Sequence, residues 1–195
     1  MRNFNKILIS GFVLAVLFSF FSFSVNCEDI QNKVVRLHVL ANSDSELDQR
    51  IKLDVKDCVF EYSTGLLKNS SSPEESEKIL RDNIASITEV ANKRLKELNA
   101  PYQAKAAVGE DYFSTREYDT FTLPAGNYSA LKVFIGEGSG KNWWCALYPG
   151  LCVSSSAEFT GFTDEEKELV TEPQKYEISF KIYEWYQNFI NLFQS

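Results

Sequence analysis

The run VVRLHVLANSDSELDQRIKLDVKDCVFEY, from Val34 to Tyr62, sets the fold, because its hydrophobic period changes from two to nearly four within it. Val35, Leu37, Val39 and Ala41 alternate with Arg36, His38 and Leu40, which predicts a strand over 34–41 with one face more firmly buried. Asn42 ends that strand. Ser43 with Glu46 three residues later reads as a capping box, and Leu47, Ile51, Val55, Cys58 and Tyr62 follow at helical spacing, so a helix is expected to about Leu67.

The pattern repeats downstream with a sharper start. After the polar break at 69–72, Ser72, Pro73 and Glu75 supply a cap, a helix-compatible first residue and a reciprocal glutamate. Leu80, Ile84, Ile87, Ala91, Leu95 and Leu98 then keep one stripe until Asn99 and Pro101 stop it. From Tyr102 the period returns to two, with strands expected at 102–110, 116–123 and 128–135 and a turn at Pro124 to Asn127. One strand, two helices and three strands predict an α+β fold, in which two antiparallel helices pack on a mostly antiparallel sheet of about four strands.

With 195 residues, 44% of them hydrophobic and 14% aromatic, the chain can build one core without a metal or a cofactor. Residues 7–25, ILISGFVLAVLFSFFSFSV, follow Arg2 and Lys6 in the layout of an export signal, so 1–27 is expected to be a signal segment that is cut. The run also approaches the ~20 residues that span a bilayer, which keeps retention open. Lipid attachment at Cys27 is disfavoured by Asn26, which stands where a small residue is expected. The remaining divisions are a single α+β domain over 30–153, a polar, Glu-rich linker over 154–173 and an aromatic amphipathic helix over 174–195. That helix carries Tyr176, Phe180, Tyr183, Gln187, Ile190 and Phe193 along one line, with Trp185 and Tyr186 beside it. Docking on its own domain is the first expectation for it, with a partner or a membrane as the alternatives.

The formal net charge is −7, and losing Arg2 and Lys6 with a cut signal would make the chain more acidic still. Such a surface disfavours nucleic acid and anionic lipid, and no basic run with interleaved aromatics is present. Membrane contact is therefore expected only through the signal segment or the C-terminal helix.

The stretch LKVFIGEGSGKNWWCALYPGLC, Leu131 to Cys152, concentrates the recognition chemistry. Trp143, Trp144 and Tyr148 offer large apolar area with few rotors, as a partner-binding surface does. Two adjacent residues at a strand end face opposite ways, so only one indole is easily buried under a single sheet face. Cys145 and Cys152 flank Pro149 and Gly150, which turn the chain back, so a disulfide closing a small loop is expected in an exported protein. Cys58 reads as a reduced core residue.

Catalytic readings are weaker. His38 is the chain's one histidine, and a nucleophilic arrangement would need Cys145 or Asp44 beside it. GEGSGK, Gly136 to Lys141, resembles a phosphate loop only in part: Ile135 replaces the first glycine and Asn142 the Ser or Thr that would hold magnesium. One histidine and paired thiols leave no metal site to argue, and no cofactor is expected.

Three separated segments, RLHVLANSDSELD from Arg36 to Asp48, LPAGNYSALKVFIGEG from Leu123 to Gly138 and NWWCALYPGLC from Asn142 to Cys152, together resemble the stage II sporulation protein R family over roughly 34–153. The resemblance implies an exported signalling protein, released from the forespore into the space between forespore and mother-cell membranes. It further implies that the protein switches on a membrane-embedded aspartic protease, the sigma-E processing protease, and does no chemistry itself. Trp143, Trp144 and Tyr148, with Asn42, Ser43 and Asp44 as a second element, are the residues expected to contact that partner. The rival expectation is an exported hydrolase acting on cell wall or peptide, with His38 and a carboxylate as acid and base.

Overall fold

The computed structural model describes residues 2–151, 159 and 161–194. The helices are α1 (Arg2–Lys33), α2 (Glu46–Leu67), α3 (Pro73–Asp82), α4 (Ile84–Glu97), α5 (Asp164–Thr171) and α6 (Glu177–Gln194). The strands are β1 (Val35–Leu40), β2 (Ala104–Phe113), β3 (Arg116–Glu117), β4 (Thr122–Leu123), β5 (Gly126–Ile135) and β6 (Asn142–Tyr148). The chain divides into two compact units, one of residues 32–112 and 127–161, the other of residues 1–31, 113–126 and 162–195.

The first unit carries a four-stranded sheet in the order β2-β5-β1-β6. The α+β expectation holds, and the sheet is mixed: β1 runs parallel to β5 and antiparallel to β6. A parallel neighbour needs a long connection, and α2, α3, α4 and β2 supply it. Leu37 and Val39 of β1 lie beside Leu131 and Val133 of β5, and with Val35 and Ile135 they make one face an apolar patch. Ile51, Val55 and Val59 of α2, with Leu80, Ile87, Ala91 and Leu95 of α3 and α4, cover it in a single buried cluster. Burying each such side chain favours folding by roughly 1.5–3 kcal/mol, and this face holds the unit together.

Three local expectations change. The N-cap of α2 is Ser45, whose side chain accepts from the Asp48 N–H at 3.1 Å, and not Ser43, which instead donates to the Asp48 carboxylate. Leu47 is consequently exposed, and the buried stripe of α2 starts at Ile51. The second expected helix is two, α3 and α4, which meet at Asn83, where the backbone leaves helical geometry (φ −106°, ψ 14°). Ser72 does cap α3, accepting from Glu75 N–H, while the Glu75 carboxylate accepts from Ser71 N–H. The strand expected at 116–123 is the short pair β3 and β4.

In the other unit α1 runs unbroken through residue 27 to Lys33. Phe23 stacks edge-on against Phe180 and Tyr183, at centroid distances of 5.3 and 6.0 Å, so the line of α6 residues read from the sequence packs on α1, the segment expected to be an export signal. Within the span expected to be a linker stands α5, opened by a full capping box between Thr163 and Glu166.

Candidate functional site

The end of β1, the start of α2 and the turn between β5 and β6 meet at one end of the sheet. Asn42 leaves β1 and spreads its side chain over two partners: its amide donates to Asp48 Oδ2 at 2.8 Å, and its oxygen accepts from Glu137 N–H at 3.1 Å. Asp44 accepts from Lys141 N–H at 2.7 Å, and the Asn42 carbonyl accepts from the Ser139 hydroxyl at 2.7 Å. Gly140 donates its N–H to the Ala41 carbonyl and lies so close to the Ser43 carbonyl that a Cβ would overlap it. Glycine is required there by space. The backbone donors at Glu137 and Lys141 are thus taken by Asn42 and Asp44, and the turn is a brace for the β1–α2 junction where a phosphate cradle would leave them open.

Asp48 is the hub of this junction. Ser43 and Tyr102 donate to it at 2.5 Å each, in addition to Asn42. Hydrogen bonds from Ser43, then Tyr102, then Asn42 lower its pKa from 3.8 to about 2, against the opposing effect of burial. Lys52 is buried next to it, donating to Gln49 Oε1 and to the Lys141 carbonyl, and burial holds its pKa below the usual lysine value.

From Lys141 the chain passes directly into β6. Trp143 sits opposite Val39 and Trp144 opposite His38, so the two indoles face opposite sides of the sheet. Trp143 is half-buried against the helix-covered core, with the Lys56 ammonium 4.7 Å from its ring centroid. Trp144 lies edge-on to His38, centroids 5.9 Å apart, and His38 Nδ1 is 2.6 Å from Asp111 Oδ2. Burial acts to raise the Asp111 carboxyl, and the hydrogen bond and charge of His38, with the charge of Lys132, outweigh it and leave the group below its ordinary value.

The structure therefore brings Asn42, Ser43, Asp44, Trp143 and Trp144 to one end of the sheet. Tyr148 is elsewhere: it pairs with Val35 at the far end of β6, about 16 Å along the strand from Trp143. Cys145 is buried opposite Leu37 on the helix-covered face, and Cys152 lies outside the described residues. His38 points to the other face, so Cys145 cannot serve it as a nucleophile. Among the described residues no group of three His, Cys, Asp or Glu side chains could hold a metal ion.

Asp48, Tyr102 and Asp111 belong to these arrangements and were not singled out in the sequence, while Ser139 and Gly140 were read there only as part of the GEGSGK turn. Asp48 had a legible signal, three residues after Ser45, but Ser43 and Glu46 offered the same spacing one turn position earlier. Tyr102 and Asp111 arrive through long-range pairing, which spacing cannot show.

Residues 31–158 match the family model for stage II sporulation protein R. A curated relative, stage II sporulation protein R of Bacillus subtilis (strain 168), is 30% identical over 145 residues, which is 74% of this chain and 65% of the relative's length. No solved structure matches the chain. The matched span contains both segments that lock together at the β1–α2 junction, together with the strand that carries the tryptophans, and the chain belongs to the stage II sporulation protein R family.

Proposed function

We propose that this chain is an exported sporulation signalling protein that acts by binding. Its sheet unit engages a membrane-embedded aspartic protease from the space between forespore and mother-cell membranes and favours the protease's active state. That shift triggers maturation of the mother-cell sigma factor, pro-sigma-E. A ligand shifts such an equilibrium only by its differential affinity for the two states, so a rigid, pre-organised surface suits the task. The observation that supports this reading is the junction itself. Two family-matched segments about a hundred residues apart are locked together by hydrogen bonds from Asn42, Asp44, Ser139 and Lys141, and they fix the position of Trp143 and Trp144. A Cys145–Cys152 disulfide would hold the far end of the same strand, and belongs to the proposal. Among the described residues one apolar helix, Ile9–Lys33, is long enough to cross a membrane, which is compatible with export by a signal sequence.

The test is pro-sigma-factor processing in cells that co-express the protease with this protein, wild type or a Trp143→Ala, Trp144→Ala double variant matched for abundance. Processing with wild type alone supports a binding signal through this end of the sheet. Processing with both moves the contact surface, and processing with neither rejects the activator reading.

The 2.6 Å contact between His38 and Asp111 favours a second reading, an exported hydrolase with this pair as acid and base. A folded His38→Ala protein that signals at full strength removes it; loss of turnover on an isolated wall or peptide substrate would support it.

A further inference from the structure

An export signal that is cut away leaves no mark on the fold it delivered. Here the last three turns of α1 are part of a core. Phe23, Cys27 and Ile30 are 7%, 0% and 0% exposed, and Phe23 meets Tyr176, Phe180 and Tyr183. Gln31 adds a polar clasp: its amide donates to the Ala125 carbonyl at 2.9 Å and to the Tyr183 hydroxyl at 3.0 Å, and Gln187 donates to the same hydroxyl at 2.8 Å. Gly126 passes so near Gln31 that a Cβ would overlap its side chain. Cutting at the end of the apolar run would remove Phe23 and free Phe180 and Tyr183 from the ring they pack on. The buried Cys27 thiol is likewise no site for a lipid.

The first turns of α1 have the opposite character. From Phe4 to Phe21 apolar side chains are exposed, and this stretch opens the span that by length and composition can cross a bilayer. A helix that is apolar all round belongs in a hydrocarbon environment. On α6, seated against α1, the exposed apolar residues are Ile178, Ile182, Trp185, Phe189 and Leu192, spaced four, three, four and three; Ile182 borders Val16 and Phe20 of α1, and Trp185 is 75% exposed. The stripe thus continues the lipid-compatible surface of α1, and tryptophan and tyrosine are the residues that settle at the headgroup level. The few charges of α6 include Glu177 and Lys181, which pair with each other. Attraction to anionic lipid is therefore weak, and α1 provides the attachment that α6 alone would lack.

We propose that α1 is kept in the working protein as a bilayer anchor, and that α6 lies in the membrane interface with the stripe from Ile178 to Leu192 against lipid. The protein is then exported but tethered. Neither helix is within the span that matches the family model, apart from the last residues of α1.

Full-length protein carrying a C-terminal tag tests this with no protease present, so its outcome is separate from that of the signalling proposal. The intact mass is measured after expression in an endospore-forming host, followed by alkaline carbonate extraction of membranes. The purified chain is then placed in phosphatidylethanolamine and phosphatidylglycerol vesicles whose acyl chains are brominated near the headgroup. The expected result is a chain that retains residues 2–27, stays with the membrane pellet and shows tryptophan quenching that is lost in Trp185→Phe. A chain beginning near Val25 in the soluble fraction overturns the anchor. Equal quenching of wild type and Trp185→Phe overturns the placement of α6 on lipid.

Discussion

Trp143 and Trp144 are neighbours in sequence, yet the two faces of the sheet that they occupy differ in kind. On the face of Trp143 the β1 and β5 side chains are aliphatic, and α2, α3 and α4 close over them. On the face of Trp144 β1 contributes Arg36 and His38, with the Arg36 guanidinium 4.9 Å from the Tyr128 ring centroid and His38 against Asp111. The first face is held by area removed from water, which is tolerant of detail. The second is held by oriented polar and aromatic contacts, where a wrong angle or a missing partner is costly. One strand register generates both, because successive residues of a strand alternate sides.

The largest effect should come from the aliphatic face. Leu37→Ala, in the middle of β1 with no exposed area, is expected to cost about 2–5 kcal/mol in urea unfolding. A cost below about 1 kcal/mol would mean that the helices do not pack on this face as described.

The tryptophans sharpen the contrast next. Trp143→Ala should lose about 1–3 kcal/mol of stability because it uncovers the edge of the aliphatic core, whereas Trp144→Ala should unfold within about 1 kcal/mol of wild type and lose signalling in the processing assay. The reverse ranking would reassign the two faces.

Acid titration separates the two carboxylates. Asp48 is held down to about 2 and Asp111 below its ordinary value, so each binds fewer protons folded than unfolded as the pH falls through about 4. Their stabilisation is present above about pH 4 and is lost as the pH drops towards 2. Asp48→Asn should flatten this loss more than Asp111→Asn, since three side chains donate to Asp48 while burial works against the charge on Asp111. Equal slopes for wild type and Asp48→Asn would contradict the hub role of Asp48.

The smallest effect is at Lys56, whose largely covered ammonium lies over Trp143 and also pairs with the exposed Asp57. Lys56→Met should cost about 0.5–1 kcal/mol, read as a small shift of the urea midpoint.

The sequence by itself determined the strand at Val35–Leu40, the Ser72 cap with Pro73, the apolar stripes of α2 and α4 and the membrane-competent run at the N-terminus. Each depends on residues close together in the chain, whose period or cap chemistry acts locally. It also showed that Trp143 and Trp144 must part company, since alternation is a property of any strand. Only the tertiary structure decided that β1 lies between β5 and β6, that the turn at Gly136 to Lys141 braces Asn42 and Asp44, and that Tyr148 sits far from the tryptophans. It also brought Asp111 to His38 and made the end of α1 part of the packing around α6. These pairings join residues as far apart as His38 and Asp111 or Phe23 and Tyr183. Loop closure over such distances carries no periodic trace in the sequence, and many registers satisfy the same hydrophobic pattern until packing and hydrogen bonding select one.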